Sequence, residues 1–372
     1  MDLGFTEEQE MFRQAARAFF ERESPTTHVR EMEQNDVGYS PDLYRQMADL
    51  GYLGVLLPEE YGGLGLTFVD LAILYEEMGR CLVPSPHFAS AVLGGLTLLE
   101  AGTDPQKAAL LPAIAGGQRI VTLALVEADR PRYDVEAIAL SARATSDGFV
   151  LDGTKLFVDY AHVADQIIVA AQADAGPTLF LVDRQAPGLT VSPLKTIGSE
   201  KHNEVTFAGV RVDPEAVIGS VGGAGEPLRR VLTQAKVALC AWMVGGAAAA
   251  LDMTIRYAKD RVQFGQPIGS FQAIQHKLAN VATEVDGARL ITYRAASALA
   301  EGRPADLEAA MAKAFVSEAY RRAAAEGCQI HGGYGFMMET DIQLYFRRAK
   351  ANEVEFGDAE AQQEVIAEAL AF

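Results

Sequence analysis

Apolar residues recur every three or four positions through the first part of the chain, a period typical of amphipathic helices. Thr6 and Gln9 have the spacing of a capping box directly before the first such run, so a helix should begin near Thr6. The period returns in three further runs, at Pro41–Asp49, Phe68–Leu82 and Ser85–Ala101. Turns that contain Gly and Pro separate these runs. The pattern therefore predicts an amino-terminal helical domain over residues 1–117.

Between residues 118 and 222 the pattern changes to short runs rich in β-branched and aromatic residues, with turn residues about every ten positions. These runs are Ile120–Val126, Gly148–Leu156, Gln166–Ala171, Thr178–Val182 and Leu189–Pro193. They predict a central β domain, either a compact barrel or a sandwich. Within the second run, Asp152-Gly153 stands between apolar residues and predicts a local hairpin turn.

Residues 223–372 return to helical patterning in long, Ala-rich stretches. They predict a carboxy-terminal bundle of four antiparallel helices, and the whole chain is predicted to belong to the α+β class. Small residues at 245–250 would allow close packing against a second subunit, so we expect an oligomer. The helical stretches are Leu228–Arg261, Gly269–Glu301, Leu307–Gly327 and Asp341–Ala371, the last interrupted near Gly357.

Composition and charge limit the classes of partner. Of the 372 residues, 49% are hydrophobic and 22% are charged, which is typical of a globular protein rather than a disordered chain. The formal net charge of −18 would repel the phosphates of a nucleic acid, so we expect no nucleic-acid partner. Any anionic cofactor must therefore be bound by local Arg and Lys residues and by helix N-termini.

The cysteines and the start of the chain favour a reduced, cytoplasmic protein without a metal. Cys81, Cys240 and Cys328 lie far apart and lack the spacing of a disulfide framework or a zinc site, so we expect buried free thiols. The segment Met1–Phe5 has no basic or apolar leader, and no run of about 18 uninterrupted apolar residues occurs. The sequence therefore predicts a cytoplasmic location and no membrane partner.

Two Gly-containing segments carry residues suited to a phosphorylated cofactor. In Arg261–Ile268 an Arg ends a helical stretch before a Gly turn, and its guanidinium suits either a two-point pyrophosphate contact or the capping of the helix C-terminus. In Gln329–Phe336 the missing side chains of Gly332 and Gly333 would let a dinucleotide approach the backbone amides, although an ordinary interhelical break has the same pattern. His331 is interpreted as a packing residue.

These segments resemble the signatures of the acyl-CoA dehydrogenase family, with Arg-x-x-Phe-Gly-x-x-Ile followed by Phe-Gln, and Gln-x-x-Gly-Gly-x-Gly-Phe. Glu59–Gly63 and Glu76–Gly79 extend the resemblance toward the amino terminus. It implies the acyl-CoA dehydrogenase fold and an FAD between the central domain and the bundle, with a neighbouring subunit reaching its adenosine diphosphate. The FAD contacts implied in these segments are Arg261, Phe264, Phe271, Gln272, Gln329, Gly332 and Gly333.

Two further segments match flavin-binding stretches of the family, with altered residues. Val126-Glu127-Ala128 stands where members carry Thr-Glu-Pro, so the Thr hydroxyl is missing. Lys155–Asp159 stands where members carry Lys-x-Trp-Ile-Thr; Phe157 keeps the aromatic ring, while Asp159 replaces the hydroxyl. The resemblance implies that Val126, Phe157 and Asp159 contact the flavin. A carboxylate at this position would lower the reduction potential of the flavin by disfavouring its anionic reduced form.

The family reaction uses a carboxylate to remove a proton α to an acyl-CoA thioester, while a hydride passes from the β carbon to the flavin. Without gaps, the usual position of this carboxylate is Phe356, and the alternative position on the first bundle helix is Ala235. Glu355 and Asp358 are the nearest candidates for a displaced base. Lys236, beside Ala235, is expected to bind a phosphate of CoA or a carbonyl group.

Three interpretations follow from the resemblance. The first is an FAD-dependent dehydrogenase of fatty acyl or steroid side-chain thioesters, with Glu355 or Asp358 as the base. The second is a non-catalytic subunit that completes the FAD site of a sister chain, as in the heterotetrameric steroid-degrading dehydrogenases that the tail resembles. The third is a flavin oxidase or monooxygenase on the same scaffold. The expected assembly is a homotetramer or dimer, or a heterotetramer with a sister chain.

Overall fold

The computed structural model describes residues 4–371, with helices in the first and last parts of the chain and strands in the middle. The predicted α+β class is confirmed. Met1, Asp2 and Leu3, which belong to the segment expected to lack a leader, and Phe372 lie outside the described residues. The prediction of three domains, with boundaries at 117/118 and 222/223, stays a prediction.

The chain divides into two compact units, each built from separate stretches of sequence. The bundle unit contains the chain up to Glu31, Phe68–Val83 and the chain from Lys236 onward. The sheet unit contains Met32–Thr67 and Pro84–Ala235.

Local side-chain signals set several helix ends. Thr6 accepts the backbone N–H of Gln9, whose side chain accepts the N–H of Thr6, so the predicted capping box is confirmed. The run predicted at 85–101 starts later, as a π-helix over Phe88–Gly94, because Ser85 Oγ accepts the N–H of His87 and forms a turn first. The α-helices are α1 Glu7–Glu23, α2 Thr26–Gln34, α3 Pro41–Asp49, α4 Phe68–Arg80, α5 Gly95–Ala101, α6 Asp104–Ala115, α7 Gly225–Asp260, α8 Gln272–Ala300, α9 Asp306–His331, α10 Ile342–Val354 and α11 Ala359–Ala369.

The strands are β1 Val121–Ala124, β2 Ser141–Thr145, β3 Gly148–Asp159, β4 Gln166–Ala173, β5 Gly176–Asp183, β6 Leu189–Leu194, β7 His202–Val212, β8 Val217–Ile218, and the pair β9 Val262–Gln263 and β10 Gln266–Pro267. The first eight form one sheet with the order β6-β7-β3-β2-β4-β5-β8, and β1 pairs with β4 in parallel. The central strand β4 is fully buried from Ile167 to Ala171, so its continuous apolar run packs on both faces.

The hairpin predicted at Asp152-Gly153 is wrong, because β3 continues through both residues. The turn lies earlier, where Ser146 and Asp147 connect β2 to β3. At Asp152 the pairing of β3 with β7 shifts register, and Gly209 is the extra residue with a φ of +66°. The Asp152 carboxylate accepts the N–H of Gly209 at 2.7 Å. The Asp-Gly pair therefore supports a bulge rather than a turn.

Small residues in α7 permit close packing within the bundle unit. A Cβ on Gly245 would meet the carbonyl oxygen of Glu76 in α4, and one on Gly246 would meet the ring of Tyr320 in α9. Ala247–Ala250 are buried. The expectation that residues 245–250 offer a face to a second subunit is therefore wrong. In the same unit α9 packs against α8, α10 and α11, and the predicted interruption near Gly357 separates α10 from α11.

Candidate active site

A buried ion pair joins the two altered flavin segments of the sheet unit. Lys155 is fully buried and donates to the Glu127 carboxylate at 2.6 Å and to the Leu125 carbonyl oxygen at 2.9 Å. The Leu156 N–H donates to the carbonyl oxygen of Val126 at 2.8 Å. The two segments are therefore held side by side. Val126 as a whole is buried and its carbonyl oxygen accepts this bond, so its predicted contact with the flavin stays a prediction.

Burial and pairing act in opposite directions on the pKa values of this pair. Burial lowers the pKa of Lys155 to about 8, although Glu127 favours the charged form. Burial alone would raise the pKa of Glu127. The bonds from Lys155 and from the N–H groups of Ala139 and Leu140 instead hold this pKa below its ordinary value. Both groups are therefore charged at neutral pH.

Phe157 lies in a second bulge of β3. The pairing with β7 shifts register between Lys155 and Val158, and Phe157 has a left-handed backbone with a φ of 53°. This conformation is unfavourable for a non-glycine residue and persists where the surrounding structure enforces it, often at functional sites. The ring is 43% exposed. The sheet unit therefore presents the predicted aromatic platform at its surface.

Asp159 has a partner that the sequence pattern did not predict. Its Oδ1 lies 2.6 Å from Nδ1 of His202, the first residue of β7, and both side chains are largely buried. The His202 ring makes an edge contact with Phe157, with 6.2 Å between the ring centroids. Asp159 therefore has an imidazole beside it, and His202 belongs with the candidate site.

In the bundle unit, the segment after α7 forms a tight hairpin. β9 and β10 are joined by Phe264 and Gly265, with φ values of 55° and 80°, which is the geometry of a type I′ turn. Phe264 is 93% exposed and its ring meets Phe271 edge-on, with centroids 6.2 Å apart. Arg261, at the start of this hairpin, is exposed and stacks over Tyr334 with 6.0 Å to the ring centroid. Its guanidinium thus remains accessible to an anionic ligand.

A surface cavity of 350 Å³ brings three of the predicted FAD contacts together. Phe264, Phe271 and Gln329 share its wall, whereas Gln272, Arg261, Gly332 and Gly333 do not line it. Gly332 and Gly333 follow α9, and a Cβ on either would project into open space, so a ligand could approach their backbone. The complete lining is Gln263, Phe264, Ile268, Phe271, Ile274, Lys277, Gln329 and Ile330.

These residues fit a dinucleotide such as FAD. The cavity has aromatic and aliphatic walls with the polar side chains Gln329 and Lys277, a composition typical of ligand pockets. The open backbone of Gly332 and Gly333 and the exposed guanidinium of Arg261 suit phosphate groups. His331 takes no such part: it is buried, its ring stacks on Tyr257, and Nδ1 lies 2.7 Å from the Gly327 carbonyl oxygen.

The turn between α10 and α11 contains the residue that stands at the usual position of the base. Phe356 is buried at 4% exposure and has a left-handed φ of 55°. Its carbonyl oxygen accepts the side-chain N–H of Gln362 at 2.7 Å. A fully buried lysine, Lys313 of α9, donates to the carbonyl oxygens of Glu353 and Gly357 at 2.9 Å each. The turn is therefore anchored on both sides of Phe356.

Lys313 was not among the predicted site residues. Its third N–H donates to Ser317 Oγ at 3.0 Å, one turn along α9. Burial lowers the pKa of Lys313 to about 8; nearby Cys240 and Glu355 favour its charged form, while Lys236 opposes it. The structure thus brings Lys236 and Glu355, two predicted site residues, within electrostatic range of one buried cation.

The carboxylates near this turn have different surroundings. Glu355 is half-buried and lies close enough to Lys313 to stabilise its charge. Asp358 is exposed and caps α11, where its Oδ1 accepts the N–H of Ala361 at 3.0 Å. Glu353 is paired with Lys350 at 3.1 Å and with Arg321 at 3.6 Å. Glu355 differs from the other two carboxylates in its position, because it is the C-cap residue of α10 and lies between the two carbonyl groups that Lys313 binds.

Lys236 lies on α7 one turn before Cys240. Burial lowers the pKa of Lys236, whereas Cys240 and Asp306 favour its charged form. Ala235, the alternative position of the base, is fully buried. The ammonium group of Lys236 thus lies in a site of low dielectric, where an anionic or strongly polar ligand would bind it more tightly than at the surface.

The cysteines, possible metal ligands and the long apolar helix α7 add no further reactive group to the candidate site. The thiols of Cys240 and Cys328 are buried and that of Cys81 is partly buried, and all are free, as predicted. Within residues 4–371, no group of three His, Cys, Asp or Glu residues is placed to hold a metal ion. Helix α7 is long and apolar enough to cross a membrane by composition alone, but 72% of its most apolar stretch is buried inside the protein, as in a core helix.

Comparisons with known proteins cover the whole chain. Models of the acyl-CoA dehydrogenase N-terminal, middle and C-terminal domains match residues 6–118, 122–210 and 225–371. The chain is 35% identical to the probable acyl-CoA dehydrogenase YngJ of Bacillus subtilis (strain 168), with 100% of both chains covered.

Solved structures agree with these matches. The chain is 30% identical to a chain of the ChsE4–ChsE5 complex of Mycobacterium tuberculosis, with a TM-score of 0.91 and coverage of 100% of this chain and 99% of that chain. It is 29% identical to butyryl-CoA dehydrogenase of Megasphaera elsdenii, with a TM-score of 0.92 and full coverage of both chains. The chain therefore belongs to the acyl-CoA dehydrogenase family, whose members are FAD-dependent oxidoreductases.

Proposed function

We propose that this chain binds FAD and oxidises an acyl-CoA thioester to its α,β-unsaturated form, with Glu355 as the base. Loss of a proton from the α carbon and of a hydride from the β carbon leaves a double bond between them. Bound FAD supplies the acceptor for the hydride. The protein must then bind the thioester, exclude water and hold a carboxylate within about 3 Å of the α proton.

Each unit carries residues suited to FAD. Phe157 offers an exposed ring, Val126 its backbone N–H, and Asp159 a carboxylate within ion-pair distance of His202. Arg261, Gly332 and Gly333 suit the phosphates, and the cavity formed with Phe264, Phe271 and Gln329 suits an apolar or ring-shaped part of the cofactor. Gln272 begins α8 beside Phe271 and would contribute a polar contact.

The choice of Glu355 as the base is supported by one observation, the anchoring of the turn that contains it. Lys313 bonds to the carbonyl oxygens of Glu353 and Gly357, which lie on either side of Glu355 in sequence. A base must be held in a defined position, and this anchoring would fix the position of Glu355. Asp358 is less suitable because its carboxylate caps α11. Lys236 would bind a phosphate of CoA or the thioester carbonyl.

The test is an absorbance spectrum of the purified chain before and after anaerobic addition of butyryl-CoA, octanoyl-CoA or a steroid side-chain thioester. We expect flavin bands that bleach, and bleaching slowed by about 10²–10⁴-fold in Glu355→Gln, the usual contribution of a general base. Glu364→Gln, an exposed change on α11, is the matched control. Equal rates in wild type and Glu355→Gln would refute this assignment.

A second function, a subunit without the base, is favoured by Phe356. This buried apolar side chain stands at the usual position of the carboxylate, and the chain is similar to a chain of the ChsE4–ChsE5 complex. Such a subunit would complete the FAD site of a sister chain. Flavin bands that persist with every thioester, and bleach only after a catalytic sister chain is added, would establish this function in place of the first.

The domains, location and assembly complete the proposal. The domains would be 1–117, 118–222 and 223–372, and the protein would be cytoplasmic, as a homotetramer or dimer or as a heterotetramer with the sister chain. Light scattering of the chain, alone and with the sister chain, distinguishes these assemblies by mass.

A further inference from the structure

The sheet unit contains a carboxylate–imidazole pair to which the proposed reaction assigns no step. Asp159 ends β3, His202 begins β7, and the two residues are direct register partners. Asp159 Oδ1 lies 2.6 Å from His202 Nδ1, and the side chains are only 15% and 13% exposed. A carboxylate this close to a protonated imidazole forms an ion pair with it. Its negative charge is therefore partly compensated.

The backbone around this pair is unusually constrained. Phe157, Tyr160 and Ser199 all have left-handed φ values, of 53°, 50° and 60°. Each lies within three residues of Asp159 or His202 along the chain, and Thr122 Oγ1 donates to the carbonyl oxygen of Asp159 at 2.7 Å. Such strain persists only where neighbouring contacts enforce it, and it clusters at functional sites. The pair is thus held at a fixed place beside the exposed ring of Phe157.

We infer that Asp159 and His202 together set the reduction potential of the flavin that binds against Phe157. The inference rests on the proposed function, because it requires FAD at that ring. A flavin gains negative charge when it is reduced, and a bare carboxylate nearby would oppose this through its Coulomb potential. His202 contacts Phe157 and lies within ion-pair distance of Asp159, so in its protonated form it offsets the negative charge of the carboxylate beside the ring on which the flavin would bind. Both are positioning residues.

The test measures the flavin potential by anaerobic equilibration with a reference dye, at fixed pH and ionic strength. The variants are His202→Gln, Asp159→Asn and the double variant. We expect a lower potential in His202→Gln, because the carboxylate loses its partner, and a higher potential in Asp159→Asn, because the negative charge is gone. In the Asp159→Asn background, His202→Gln should have little further effect.

His162→Gln is the matched control, because this imidazole lies near the same strand ends but its ring nitrogens face neutral groups, Asn203 Oδ1 and the Val37 carbonyl oxygen, and its ring stacks on Tyr160. Its potential should equal that of the wild type. Unchanged potentials, or shifts of the same sign in both single variants, would overturn the inference. Loss of flavin from His202→Gln alone would also overturn it, since it would show a purely structural role. A wild-type chain that binds no flavin would instead refute the proposed function.

Discussion

Two lysines, one in each compact unit, show two ways of keeping an ammonium group out of water. Lys155 in the sheet unit and Lys313 in the bundle unit are both fully buried, and burial lowers the pKa of each to about 8. Lys155 bonds to a carboxylate, Glu127, at 2.6 Å. Lys313 bonds only to neutral oxygens, those of Ser317, Glu353 and Gly357.

The difference teaches that a buried cation needs hydrogen-bond acceptors more than it needs an opposite charge in contact. All three N–H groups of Lys313 have acceptors, so no donor is left unsatisfied. The Glu353 carbonyl lies in the last turn of α10, where the helix dipole is negative and favours a cation. The unfolding free energy that is lost when a partner is removed should therefore differ between the two lysines.

The largest effect is expected for Glu127→Ala. The change leaves the Lys155 ammonium buried beside a single carbonyl oxygen and removes the acceptor of the Ala139 and Leu140 N–H groups. Breaking a buried ion pair by removing one partner costs about 3–5 kcal/mol. Urea unfolding at pH 7 should show a loss of this size. Glu127→Gln keeps an acceptor and should lose less; equal losses in the two variants would contradict the importance of the acceptor.

Lys313→Met should have the next largest effect. It leaves the carbonyl oxygens of Glu353 and Gly357 without their donor, but it also removes a buried charge. Because these two effects on stability oppose each other, we expect the free energy of unfolding to fall by about 2 kcal/mol, within the range for unsatisfied buried polar groups. Lys259→Met, an exposed change on α7, is the control. A Lys313→Met variant as stable as this control would show that the bonds to the turn contribute nothing.

The pH dependence of the unfolding free energy tests the buried state of Lys313 further. The pKa of Lys313 is about 8 in the folded chain against an ordinary value of 10.5. The unfolded chain therefore binds more protons between these values, and this group makes stability rise with pH there, by up to about 1 kcal/mol per pH unit. Below pH 8 the contribution no longer changes. The stability of wild type relative to Lys313→Met should thus grow from pH 8 to 10; a constant difference would refute the lowered pKa.

Short-range signals explain which parts of the fold were predictable. The capping box at Thr6 and Gln9 and the run Pro41–Asp49 depend on neighbours in sequence, and both were predicted correctly. The Asp152-Gly153 hairpin failed because its geometry depends on β7, which begins some fifty residues later. Pairing with that strand stabilises extended backbone where local propensity favours a turn.

The site residues, too, could be predicted where the signal is local in sequence and were missed where it is not. The sequence motifs include Phe264, Phe271 and Gln329, which the fold brings to one cavity, while their roles toward FAD stay predictions. His202 and Lys313 were missed because their importance lies in contacts across long sequence separations, with Asp159 and with the 353–357 turn. A polar residue at a strand start, or a lysine on an apolar helix face, has no distinctive spacing that would reveal such a partner.

The smallest effect is expected for Asp152→Ala, where a charge on β3 is exposed rather than buried. Its carboxylate accepts the N–H of Gly209 at the bulge, and water can replace it as an acceptor. We therefore expect a loss of only about 0.5–1 kcal/mol in urea unfolding, typical of one net hydrogen bond. Asp152→Asn keeps the acceptor oxygen without the charge and should recover most of that loss. If Asp152→Ala instead cost as much as Glu127→Ala, solvent exposure would not be what separates the two carboxylates, and the register of β3 against β7 would depend on this bulge contact.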